Sequence, residues 1–277
     1  MTLNQHVLQG CDLIEYHFIF VIPCFGGIKE DSKTLVKIVH QSSHLRIFKI
    51  KKNQKKVLTL KSWKYIVAVG MTLVIAAGIL ITIPMIPILE QTARNIFFHV
   101  PMWMAMFSMF TVSFYYSIKY LNKPDLEFDI KAESAANVGV IFGICGLLTG
   151  SLWARFTWGT WWTFAEPKMN LAALAVMIYY AYFVLRSAFD DEEKRAKLSA
   201  VYNIFAVTTI PFLLYIVPRQ LDSLHPGAEG NPAFSEITAP ELRYILYPAF
   251  IGFIALAFWI YDIVHRYKTV QHHTENS

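Results

Sequence analysis

Six apolar runs, separated by short polar stretches, constrain this 277-residue chain more than any other feature. At roughly 20 residues each, they have the length an α-helix needs to cross the hydrocarbon core of a bilayer. In lipid, a helix also satisfies its own backbone polar groups, which an open strand or loop does not. The runs lie at about Tyr65 to Leu89, Val100 to Leu121, Ala135 to Leu152, Leu171 to Ala188, Leu198 to Val217 and Tyr244 to His265. They predict an all-α integral membrane protein with six transmembrane helices. Pro84, Pro211 and Pro248 fall inside the first, fifth and sixth runs, where neighbouring helices can supply the lost backbone partners. An apolar content of 55% agrees, since it exceeds what a soluble domain usually carries.

Lys and Arg then set the orientation. The connections after the second and fourth runs hold Lys119, Lys123 and Lys131, then Arg186, Lys194, Arg195 and Lys197, and the carboxyl end holds Arg266 and Lys268. The other connections are poorer in basic residues for their length, so both termini are expected in the cytoplasm and the connections after runs one, three and five outside. The net charge of +5 follows this topology, and nucleic acid is not an expected partner. Residues 1–62 lack a full span, and the short run Phe18 to Ile22 has no basic residue before it of the kind a signal peptide carries. They are expected to be a poorly ordered basic tail outside the working protein, and residues 269–277 a cytoplasmic tail. The run Asp190-Asp191-Glu192-Glu193 is expected to be a solvated helix end. The long Pro/Gly-bearing connection from Pro218 to Leu242 points to function or disorder.

Chemistry concentrates on the outer side. Four of the seven tryptophans fall in ten residues, Trp153, Trp158, Trp161 and Trp162, in an expected loop from Trp153 to Lys168 edged by Arg155 and Lys168. Such a loop is either part of an interfacial aromatic belt or a platform for a flat, apolar ligand with an anionic edge. Of nine histidines only His99 and His225 are placed outside; His99 precedes Pro101, expected in a first helical turn, and His225 precedes Pro226. Two outward imidazoles beside a tryptophan platform can hold a porphyrin iron from its axial positions, with Arg155, Lys168, Arg94 and Arg219 available for the propionates. Zinc is the weaker reading, for Glu166 would have to supply the third ligand. Cys11, Cys24 and Cys145 form no CxxC pair, and Cys145 is expected to be a small core residue.

Trp158-Gly159-Thr160-Trp161-Trp162, preceded by Phe98-His99-Val100-Pro101 and followed by Leu224-His225, resembles the tryptophan-rich (WWD) haem-handling family. The resemblance covers about residues 63–268. Where that family continues Trp-x-Trp-Asp-x-Arg, this chain has Phe164 and Ala165, and Glu166-Pro167-Lys168 carries a similar acid-x-base pattern one residue later. The resemblance implies a six-helix domain over 63–268 that is not an enzyme. It would hold haem b transiently and non-covalently on the outer, periplasmic side of the bacterial cytoplasmic membrane. It would deliver that haem to a haem chaperone for c-type cytochrome assembly, together with ABC transporter subunits of the same pathway. His99 and His225 would be the axial iron ligands, and Trp158, Gly159, Trp161, Trp162, Glu166, Lys168 and Arg155 would contact the haem. A cytochrome c synthase subunit and a b-type haem redox subunit are the alternatives. A coupled permease is disfavoured by the lack of a charged residue near any span centre.

Overall fold

The computed structural model describes residues 62–84, 89–225 and 240–275. The expectations for residues 1–61 and for most of the Pro218 to Leu242 connection therefore lie outside the described residues. The regular elements among the described residues are all helical, the long ones being α1 (Ser62–Leu80), α2 (Ile96–Asn122), α3 (Leu126–Trp158), α4 (Pro167–Ser187), α5 (Glu192–Pro211) and α6 (Pro240–Glu275). Among the described residues, six helices are long and apolar enough to cross a membrane.

Caps decide where these helices stop, and they move the boundaries away from the hydropathy edges. Asp125 accepts from the Glu127 N–H at 2.9 Å and starts α3 nine residues before Ala135; Asp191 accepts from the Lys194 N–H at 2.7 Å and starts α5 before Leu198. At 33 and 36 residues, α3 and α6 are about 50 Å long, more than the hydrocarbon core requires. In the other direction α1 ends at Leu80, not Leu89, and Pro84 lies beyond it. A proline disfavours helical geometry in the residue before it. A 3-10 turn, Glu90–Asn95, feeds straight into α2, so Pro101 sits inside that helix and not in its first turn. After Pro211 the chain continues through a π turn, Phe212–Ile216, and a 3-10 turn, Val217–Gln220. Asp190, Asp191 and Glu193 are exposed around the start of α5.

The central contact is an antiparallel pair of matched ridges. Phe110, Met106, Trp103 and His99 on α2 seat in turn on Gly139, Gly143, Gly146 and Gly150 on α3, where an added β-carbon would come within 2.5, 3.0, 2.8 and 2.8 Å of them. Small residues at this spacing let membrane helices approach closely where apolar burial alone gives little attraction. Phe110 in turn stacks on Tyr179 of α4, ring centres 3.6 Å apart. Beside it Asn203 of α5 donates to Ser113 and Ser117 at 2.7 Å and accepts from the Tyr179 hydroxyl at 2.8 Å. This buried amide is satisfied by α2 and α4 together.

Charge closes the end of the bundle that carries the α2–α3 and α4–α5 connections. Arg186 of α4 grips Asp129 of α3 through two bonds of 2.7 Å and reaches Glu133 at 3.3 Å, and Lys268 of α6 pairs with Glu133. Lys64 of α1 meets Asp262 of α6 at 2.6 Å, with Arg266 on the same carboxylate at 2.9 Å. His265, on the same stretch of α6, stacks against Tyr261. The tryptophan segment lies at the opposite end.

Candidate functional site

Helix α3 does not stop at the lipid edge but continues through Trp158, so Trp153, Arg155 and Trp158 are helical and the loop is confined to Gly159 through Glu166. The polar residues of this segment lowered its hydropathy without ending its helix. What ends it is Gly159, whose φ of 74° is left-handed and costs a glycine nothing. Arg155 folds back to donate to the Gly159 carbonyl.

The loop is tied down from both sides. Ser151 donates to the Trp161 carbonyl at 2.6 Å, and Thr160 to the Trp162 carbonyl at 2.9 Å. The Trp162 indole N–H donates to Asn170 Oδ1 at 3.2 Å, while Asn170 Nδ2 donates to the Phe164 carbonyl at 2.8 Å. Trp162 is thereby keyed to α4 and half-buried, whereas Trp161 is 57% and Phe164 88% exposed. Phe164, standing where the motif of the resembling family has a tryptophan, still presents an aromatic face.

His99 lies on α2 but does not face outward: it is 8% exposed and wedged between the edges of Trp103 and Trp153, at 6.1 and 6.0 Å between ring centres. Its first turns are wound by the preceding 3-10 segment, and the helix then carries the imidazole onto α3. The Trp103 indole can only donate, so His99 Nε2, 3.3 Å away, is the nitrogen with the lone pair. Nδ1 therefore carries the proton and donates to Thr149 Oγ1 at 3.1 Å, a hydroxyl whose own hydrogen goes to the Cys145 carbonyl at 2.8 Å. Nε2 has the form an iron ligand needs, but it is capped by Trp103.

His225 is half-buried in the stretch after the 3-10 turn Val217–Gln220 and lies within electrostatic reach of His99. The Lys168 ammonium donates to its Nδ1 at 3.3 Å. Glu166 is fully buried and its carboxylate accepts three bonds: from the Lys168 N–H at 3.1 Å, the Ser223 hydroxyl at 2.5 Å and the Leu224 N–H at 2.8 Å. Two of the expected propionate partners are occupied differently. Arg94 donates to the carbonyls of Gly78 and Ile81 at 3.0 and 2.7 Å, capping α1, and Arg219 lies 3.5 Å over the Tyr215 ring. Among the described residues no group of three or more His, Cys, Asp or Glu is placed to hold a bare metal ion.

One end of the bundle thus gathers His99, His225, the tryptophan loop, Arg155 and Lys168. The family model of CcmC, described as heme exporter protein C, matches residues 47–277. This chain belongs to the CcmC family. It is similar to the heme exporter protein C of Paracoccus denitrificans, 28% identical over 165 residues that cover 60% of this chain and 68% of that one. The protein of that name from Haemophilus influenzae is 26% identical over 136 residues, 49% of this chain and 54% of its own. The one from Escherichia coli is 25% identical over 167 residues, covering 59% and 65%. The matched stretches therefore span between about half and two thirds of those relatives. With its six apolar helices, the chain is a multi-pass membrane protein of the CcmC family.

This end of the bundle presents aromatic faces at Trp161 and Phe164, cations at Arg155 and Lys168, and an unprotonated imidazole nitrogen at His99 that the Trp103 indole covers. Trp103, Thr149, Asn170 and Ser223, which hold the site residues in place, were not singled out by sequence. A signal for Trp103 existed, because His99, Trp103, Met106 and Phe110 repeat the 4-3-4 spacing of the α3 glycines in reverse.

Proposed function

We propose that this CcmC-family chain holds haem b, transiently and non-covalently, at the end of the bundle that carries the tryptophan loop. From there it passes the haem to a haem chaperone for c-type cytochrome assembly. It works with ABC transporter subunits of that pathway and acts as a transfer factor, not an enzyme. The Lys and Arg distribution supports placing this end on the periplasmic side of the cytoplasmic membrane, with both termini inside. The observation that carries the reading is the convergence of two imidazoles from distant segments on the two helix ends that flank the aromatic loop, His225 through its contact with Lys168 at the start of α4 and His99 through its seat beside Trp153 near the end of α3.

Haem brings an iron that accepts axial imidazoles and two propionates that accept hydrogen bonds. Trp161 and Phe164 supply ring faces, Trp162 anchors the loop, and Arg155 and Lys168 reach the acidic edge. His99 offers Nε2 once the Trp103 indole turns aside. A site that must first give up its own hydrogen bond binds less tightly than a preorganised one, which suits a carrier that has to release its cargo.

The test is the absorption spectrum of detergent-purified protein co-expressed with its pathway partners. His225→Ala changes a loop position, so folding stability should stay within about 0.5 kcal/mol. The haem Soret band should weaken or shift, and added imidazole should partly restore it. In the spectrum His99→Ala should act alike and His265→Ala should be silent. A necessary His265 with a silent His225 would overturn the assignment. Replacing Trp161 and Trp162 together by Ala removes one exposed ring face, worth on the order of 1 kcal/mol beyond area burial, and the indole that anchors the loop to Asn170. Haem retention should then fall with insertion unchanged, and an unaltered haem content would make these rings belt residues only.

A further inference from the structure

The polar atoms of the Glu166 side chain are engaged within the chain itself. Its carboxylate is 0% exposed, its oxygens are taken by three donors, and its negative charge would repel a propionate. One of those donors belongs to the first turn of α4, where a helix N-terminus favours an anion. The other two, the Ser223 hydroxyl and the Leu224 N–H, come from the segment that carries His225, 57 and 58 residues away along the chain. The Ser223 hydroxyl oxygen in turn accepts the His225 backbone N–H at 3.1 Å. The carboxylate therefore joins the start of α4, which bears Lys168, to the backbone that leads into the His225 Cα.

We infer that Glu166 is a positioning residue that clamps the Ser223–His225 segment onto α4 and sets where the His225 imidazole stands against the tryptophan loop. The clamp has two separable halves. Capping α4 requires only a short carboxylate, and aspartate is as good a cap as any residue. Reaching Ser223 and Leu224 as well requires the extra methylene of glutamate.

Glu166→Asp therefore separates the two halves, and Ser223→Ala removes one arm without touching the cap. The first measurement needs no haem: amide hydrogen exchange of the intact, haem-free protein in detergent. In Glu166→Asp the Leu224 and His225 amides should exchange about tenfold faster, the factor expected for losing a hydrogen bond to a charged group. The amides of the α4 interior should keep their wild-type rates. Ser223→Ala should accelerate His225 in the same direction. The second measurement rests on the haem reading above: Glu166→Asp should shift the Soret band as His225→Ala does, and imidazole should partly restore it. Unchanged exchange at Leu224 would overturn the clamp. So would faster exchange accompanied by a wild-type spectrum in a protein whose His225→Ala variant does lose ligation. A silent His225→Ala variant would sink the haem reading instead, and the exchange rates alone would then decide the clamp.

Discussion

Arg186→Met should lower folding stability by about 3–5 kcal/mol, the cost of stripping one partner from a buried ion pair. Arg186 and Asp129 are each 7% exposed and share two bonds of 2.7 Å, a geometry that repays their desolvation only while both are present. Removing the guanidinium leaves Asp129 buried beside Glu133, which keeps Lys268 but gains a like-charged neighbour. Denaturant unfolding in detergent, followed by helical circular dichroism, measures the loss. The double variant Arg186→Met with Asp129→Leu should recover most of it, because a well-packed apolar pair often matches a buried ion pair. A loss under about 1 kcal/mol in the single variant would mean that water reaches the cluster. The cluster lies at the far end from the tryptophan loop, so the protein that remains folded should hold haem with an unchanged spectrum.

The second large effect is expected from a single methyl group. A β-carbon at position 150 would stand 2.8 Å from His99 Cε1, closer than packed atoms tolerate, and 3.4 Å from Nδ1. The imidazole cannot step sideways, since Trp103 and Trp153 flank it. It must swing away from Thr149 and give up the 3.1 Å bond that fixes its tautomer. Gly150→Ala should therefore leave the helices intact, with any cost falling on one terminal ring, while haem retention drops about tenfold or more; misplacement of a ligating group by about 1 Å can cost that much. Gly70→Ala is the matched control, because nothing lies within 4 Å of the added carbon. A Gly150→Ala protein with the wild-type Soret band would show that His99 is not a ligand in its present seat.

Much of the fold was legible because the relevant physics is local. Each of six runs is apolar over a bilayer's thickness, and a helix satisfies its backbone without help from elsewhere. The tryptophan cluster, His99 and His225 were visible as unusual residue types at predicted span ends. The helix boundaries were less legible. Hydropathy measures transfer into lipid, whereas α3 and α5 begin where Asp125 and Asp191 accept backbone donors, and α3 ends only where Gly159 turns left-handed.

By itself, then, the sequence determined the number of crossings, their order and the end at which the aromatic and imidazole groups collect, since these follow from composition and from the alternation of spans. Packing set which way the site residues point. It turned His99 inward onto Gly150, because four glycines of α3 accept the 4-3-4 ridge of α2. It also buried Glu166 under Ser223 and Leu224 and spent Arg94 on the end of α1. Each of these choices depends on partners thirteen or more residues away in the chain. The direction of a side chain is set by whichever neighbour can satisfy it, and that neighbour exists only once the helices have packed.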